Sequence, residues 1–171
     1  MLTARLKKTT KKQQGFTLIE LLVVIGILAV LLAITLIAIN PAKQFSQAND
    51  TKRRSDVNAI LNAIDQFAAD NKGSLPTNIG AGCTTAAPCL IENTGAATDA
   101  NICADLSPTY LAQLPTDPKS GDDGTGKVGP VSACAGAYKT VYTVGKSASD
   151  NRVTVTATSE INPATPISVT R

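Results

Sequence analysis

Gly15-Phe16-Thr17-Leu18-Ile19-Glu20-Leu21-Leu22-Val23-Val24-Ile25 opens an apolar run that continues to Ile39. The run from Phe16 to Ile39 holds 24 residues and one charge, Glu20, its fifth residue. About 20 apolar residues in a helix cross a bilayer, so the length suits a membrane span. A carboxylate inside such a span costs about 2.5–3.5 kcal/mol at the centre, and less near the end. Glu20 therefore needs a partner. The flank before the run carries Arg5, Lys7, Lys8, Lys11 and Lys12 and no acid. The positive-inside rule keeps that flank cytoplasmic and places the remainder of the chain outside.

Three readings compete for residues 1–39. A cleaved secretory signal needs a shorter apolar core and a small-x-small site after it. Here the core is too long, and Ala38-Ile39-Asn40 is a poor site. A plain anchor fits the length but gives no reason for Glu20. The third reading cuts the chain after Gly15, before the apolar run. The new terminus is the amine of Phe16, and Glu20 lies four residues on, about 6 Å along a helix. A carboxylate is favoured near a helix N-terminus. In a packed assembly of helices it also meets the Phe16 amine of an adjacent copy. At low dielectric that pair is strong, and either charge left alone is costly.

Lys11-Lys12-Gln13-Gln14-Gly15-Phe16 followed by Thr17-Leu18-Ile19-Glu20-Leu21-Leu22-Val23-Val24-Ile25 resembles the class III signal of type IV pilins and type II secretion pseudopilins. The resemblance covers roughly residues 11–39. It implies that a membrane prepilin peptidase cleaves between Gly15 and Phe16 and N-methylates Phe16, and methylation keeps the amine basic. It implies a homopolymeric filament, with an assembly ATPase and a platform membrane protein as partners. The subunit would wait as a single-pass protein of the cytoplasmic membrane and then enter a cell-surface or periplasmic filament. The implied fold is α+β: a long N-terminal helix packed on a small antiparallel sheet.

The chain is accordingly divided into a leader at 1–15, an apolar helix at 16–40, an amphipathic helix at 41–72 and a globular domain at 73–171. Asn40-Pro41 predicts a kink or short break, because proline removes an N–H and steers the preceding residue away from α geometry. Val57, Ile60, Leu61, Ile64, Phe67 and Ala68 recur at helical spacing and form one apolar stripe. Asp56, Asn58, Asn62, Asp65 and Gln66 lie off it. Lys52-Arg53-Arg54 with Asp50 and Asp56 reads as a solvated face. Contact of Arg53 and Arg54 with DNA is the alternative use of that cluster, and a weak one. Residues 73–137 read as loops, with at most a short helix near Asn101–Leu114. Tyr138–Gly145 and Arg152–Ser159 read as strands of a hairpin. Ile161–Arg171, with Pro163 and Pro166, is a tail or an edge strand.

Net charge is +3, but the five leader cations account for it. Outside the leader eleven basic residues face thirteen acidic ones, so no basic nucleic-acid surface follows. There is no His, no GxSxG and no P-loop, so His-based catalysis is excluded and an enzyme is not expected. Assembly energy must come from outside the chain.

Cys83, Cys89, Cys103 and Cys134 all follow the membrane segment, where disulfides persist. Three connectivities are open. Cys83–Cys89 with Cys103–Cys134 is favoured, because the first closes a short loop containing proline. A four-cysteine zinc site is the rival, but the spacing lacks paired CxxC knuckles. Tyr110-Leu111-Ala112-Gln113-Leu114-Pro115-Thr116-Asp117-Pro118-Lys119 with Tyr138–Ala157 resembles the globular region of major pseudopilins. That resemblance implies a calcium loop, for which Asp117, Asp122 and Asp123 are the candidates. Three carboxylates supply only part of the six to eight oxygens calcium takes. No other cofactor is expected. A minor or competence pseudopilin, binding DNA or a surface through its exported domain, is the alternative function.

Overall fold

The computed structural model describes residues 15–79, 82–96 and 98–171. The basic leader, up to residue 14, lies outside the described residues. The chain divides into two units, one ending at Pro41 and the other running from Ala42 to Arg171.

The first unit is a helix, α1, Leu18–Ile39. At about 1.5 Å per residue its 22 residues measure about 33 Å, close to the thickness of a bilayer's hydrocarbon core. None of its residues is buried. Its apolar side chains surround the helix on all sides, the pattern of a helix meant for lipid or for the middle of a bundle. The helix ends at Asn40, which is left-handed (φ 47°), and Pro41 then starts α2, Pro41–Asp70. Proline suits a first helical position, where its missing N–H leaves nothing unpaired. The expected interruption at Asn40-Pro41 is thus a single non-helical residue.

The second unit packs α2 on a four-stranded antiparallel sheet of spatial order β1-β2-β3-β4. The strands are β1 (Cys89–Asn93), β2 (Tyr138–Lys146), β3 (Val153–Ala157) and β4 (Ile167–Thr170). A short helix, α3, spans Cys103–Leu106. Val57, Ile60, Leu61 and Ile64 on α2 are fully buried, as are Ile91, Tyr142, Val144 and Val155 on the sheet. Burying an aliphatic side chain of that size stabilises by about 1.5–3 kcal/mol. This contact between one helical stripe and one sheet face therefore holds the unit together. Strand β3 shows the alternation plainly, with Val153, Val155 and Ala157 inward.

Two features of the sheet depart from the sequence reading. Strand β1 lies in a stretch read as loops. Its apolar content is Leu90 and Ile91 alone, too short for a periodic signal, and pairing with β2 orders it. The helix near Asn101–Leu114 shrinks to the four residues of α3. The tail does form an edge strand, β4, paired with β3 from Thr154↔Thr170 to Ala157↔Ile167.

Strand β2 bulges where it passes Ile91: Leu90 faces Thr143, but Glu92 faces Lys139. At the bulge Val141 has φ 69°, a left-handed conformation strained for a β-branched residue. The bulge is held from inside by Thr140, whose hydroxyl donates to Ile91 O at 2.6 Å and accepts from Tyr142 N at 3.1 Å. It allows Thr140 O to accept the Asp117 N–H at 2.9 Å while Tyr142 reaches α2.

Cys83 is joined to Cys89 and Cys103 to Cys134, with Cα separations of 5.1 and 5.3 Å. The Cys83–Cys89 loop lies directly on β2. Lys146 N donates to Cys83 O and Thr85 N to Lys146 O, at 2.8 and 3.1 Å. Gly145 permits that approach, since a Cβ there would stand 2.6 Å from Thr84 O.

Candidate functional site

Two constellations carry the chemistry. The first heads α1. Thr17 is the N-cap, in extended geometry, and Glu20 is the third helical residue. Thr17 N and Thr17 Oγ1 donate to Glu20 Oε2 at 2.8 and 2.7 Å, and Glu20 N donates to Thr17 Oγ1 at 3.3 Å. This reciprocal capping box satisfies two backbone donors that a helix start leaves without partners. It also gives the acidic side chain an internal partner. The Thr17-x-x-Glu20 spacing carries that signal in the sequence.

Gly15 and Phe16 precede the cap. Phe16 is 84% exposed. A Cβ built on Gly15 meets nothing within 4 Å, and its backbone is not left-handed. Among the described residues nothing in the fold requires glycine there.

The second constellation ties α2 to the loops at one end of the sheet. Arg53 projects from α2 and is 4% exposed. Its Nη1 donates to Asp50 at 3.0 Å, its Nη2 to Glu160 at 2.8 Å and its Nε to Asp117 at 2.5 Å. Asp50, 2% exposed, accepts further bonds from Ser159 Oγ and from the N–H groups of Glu160 and Ile161. Asn49 also donates to Glu160. One turn along α2, Asp56 accepts from the Tyr142 hydroxyl at 2.9 Å and pairs with Lys52. Residues read from the sequence as a solvated face are thus largely interior: Asp50, Arg53 and Asp56 are buried, and Arg54 stays exposed. The i,i+3 spacing of Asp50 and Arg53 is legible in the sequence. Asp117 and Glu160, 64 and 107 residues from Arg53, are not. The burial of Arg53 also removes it as a contact for nucleic acid.

The charges of this cluster fix one another. Burial would raise the Asp50 carboxyl, but the Ser159 hydroxyl, the Glu160 and Ile161 N–H groups and Arg53 hold it down to about 2. Asp117 is likewise lowered against its burial by Arg53 and by the N–H groups of Lys119 and Ser120. Glu160 is lowered, chiefly by Arg53. Burial, with Asp56 alongside, pushes the Tyr142 hydroxyl up, so it remains a donor. Glu92, raised by burial and by Asp99, acts in the opposite sense on stability. Carboxyls lowered by folding add stability that is complete above their ordinary range and is lost as pH falls through the folded values. The melting midpoint is therefore expected to be flat above about pH 5 and to fall between about pH 4 and pH 2. Thermal unfolding across that range checks it. A midpoint that rises on acidification would contradict the assignment.

The three calcium candidates do not converge. Both oxygens of Asp117 are engaged: Oδ2 by Arg53, Oδ1 by Lys119 N and by Ser120 N and Oγ. Asp122 accepts from Gly124 N and Gly126 N, and Asp123 from Thr125, each within its own turn. Among the described residues no group of three or more acidic, Cys or His side chains is placed to hold a metal ion. The residues present do not fit calcium.

With this geometry in view, comparison with known proteins is specific. The prokaryotic N-terminal methylation motif matches residues 10–36. The type II secretion system core protein G of Escherichia coli K12 is 34% identical over 116 residues, covering 67% of this chain and 72% of that protein. Its counterpart in Pseudomonas aeruginosa is 34% identical over 108 residues, 63% of this chain and 69% of that protein. The Aeromonas hydrophila counterpart is 32% identical over the same length, covering 68% of that protein. No solved structure matches the chain.

Proposed function

The chain belongs to the type II secretion core protein G family of pseudopilins, and from that premise we propose that it is a structural subunit of a pseudopilus, cut between Gly15 and Phe16 before it assembles. The observation that carries this reading is the arrangement at residues 15–20. A glycine that the fold does not require stands before Phe16, and Glu20 caps a helix with no buried residue.

The sequence of events follows from the chemistry. In the membrane, Glu20 is held by Thr17, which lowers the cost of keeping a carboxylate in an apolar helix. Cleavage on the cytoplasmic side exposes the Phe16 amine, and methylation leaves it cationic. In the filament, α1 moves from lipid into a bundle of copies of itself, which its apolar surface suits equally well. The Phe16 amine of one copy then meets Glu20 of a neighbour and competes with Thr17 for it. That pairing sets the register of one subunit on the next. An assembly ATPase and a platform membrane protein supply the work, because extraction from the bilayer needs an energy source the chain lacks. The second unit stays outside the membrane, facing the periplasm, with its disulfides formed.

Mass spectrometry of the subunit recovered from isolated filaments tests this reading. The expected first residue is Phe16, carrying one methyl group on its amine. Filaments built from chains that still begin at Met1 would overturn it.

A further inference from the structure

The resemblance to major pseudopilins implies a calcium loop at Asp117, Asp122 and Asp123, and the structure shows those carboxylates otherwise engaged. The same end of the domain holds a buried cation of the chain's own. We propose that the Arg53 guanidinium replaces a divalent ion as the cation that gathers the loops of this domain, so that its exported unit folds independently of calcium.

Three observations carry this. The carboxylates on Arg53 come from three separate segments: Asp50 on α2, Asp117 in the loop closed by the Leu114–Val131 bridge and Glu160 after β3. Holding oxygens from distant segments at one positive centre is what a structural calcium ion does. A planar guanidinium with five N–H donors in a fixed fork can do it too. Arg53 and Asp50 are buried as deeply as the apolar core, so the cluster is an interior joint. The acidic loop is also complete without a metal. Asp117 closes its own turn on Lys119 and Ser120 while its other oxygen meets Arg53. Lys119 adds a second cation 3.8 Å from Glu160. Unlike a bound ion, a guanidinium cannot dissociate or be chelated.

The test uses the full chain in detergent micelles and follows the near-ultraviolet dichroism of the buried Tyr138 and Tyr142 on heating. The midpoint of the unaltered chain is expected to be the same in millimolar calcium chloride and in excess chelator. A midpoint that rises with calcium, or falls with chelator, overturns the proposal. Arg53→Met is expected to lower the midpoint by about 10 °C or more, because it strands buried carboxylates. Arg53→Lys, which keeps the charge but not the fork, should lose less. Adding Asp117→Asn to Arg53→Met should recover part of the loss, since one stranded charge is gone. A further loss from that second change would show that Arg53 acts by packing, and would overturn the proposal. If Arg53→Met does not fold, the comparison of calcium with chelator on the unaltered chain still decides. A calcium-dependent midpoint would leave the pseudopilus reading standing, and a Met1 terminus in filaments would leave this one standing.

Discussion

Cells making a Glu20→Leu chain are expected to hold it in the membrane at normal abundance and to yield almost no filament. Insertion should be unharmed, because the substitution removes the one charge of the span. The capping bonds to Thr17 are lost, a local cost of about 1 kcal/mol at the start of a long helix. Assembly suffers far more. Each incoming subunit brings a Phe16 amine, and without the acid of its neighbour that amine is left alone in a packed apolar core. Removing one partner of a buried ion pair costs about 3–5 kcal/mol. At about 1.4 kcal/mol per tenfold, each subunit then binds at least about a hundredfold more weakly. Quantifying sheared filaments against the membrane-bound pool measures this. Glu20→Gln separates the two roles of the side chain. Its amide oxygen can still accept from Thr17, but it carries no charge, so it should fail to assemble as Glu20→Leu does. Normal filament yield from Glu20→Gln would show that the cap matters and the charge pair does not.

Loss of the Cys103–Cys134 bridge should destabilise the second unit more than loss of Cys83–Cys89. The two bridges span sequence separations of 31 and 6. Loop-closure entropy in the unfolded chain then makes the first worth about 4 kcal/mol and the second about 2. Burial does not separate the two bridges: Cys103 is fully buried and Cys134 half-buried, while Cys83 and Cys89 are both buried. The segment between Cys103 and Cys134 has little regular structure among its described residues: α3 and the isolated bridges Leu114↔Val131 and Asp122↔Lys139. A covalent tie limits what that segment can explore when unfolded. Urea unfolding of Cys103→Ser/Cys134→Ser and of Cys83→Ser/Cys89→Ser, each in the full chain in micelles, gives the comparison. A larger loss from the shorter loop would mean that the bridge works through strain or packing against β2 rather than through chain entropy.

The N-terminal methylation motif was legible because its residues are local. Gly15, Phe16 and Glu20 lie within six residues, and one charge in an apolar run is conspicuous. The stripe on α2 was legible for the same reason: a period of 3.6 needs only one helix. The sheet was partly legible. Val153, Val155 and Ala157 alternate, so β3 was visible, whereas β1 is ordered only by its partner. The buried cluster was misread as a surface because hydrophilic residues off an apolar stripe usually face water. Arg53 faces inward because its three acids arrive from Asp50, Asp117 and Glu160, and two of those arrivals depend on the finished fold. The strain at Val141 belongs to the same category. It follows from a bulge that positions Thr140 and Tyr142 for contacts with Asp117 and α2.

Asn40, in its left-handed conformation ahead of a residue with no N–H, interrupts helical propagation between lipid-suited and water-suited segments. Cooperativity does not pass readily through such a point, since extending a helix depends on each residue's predecessor being helical. Heating or tension that unravels the second unit therefore need not spread into α1.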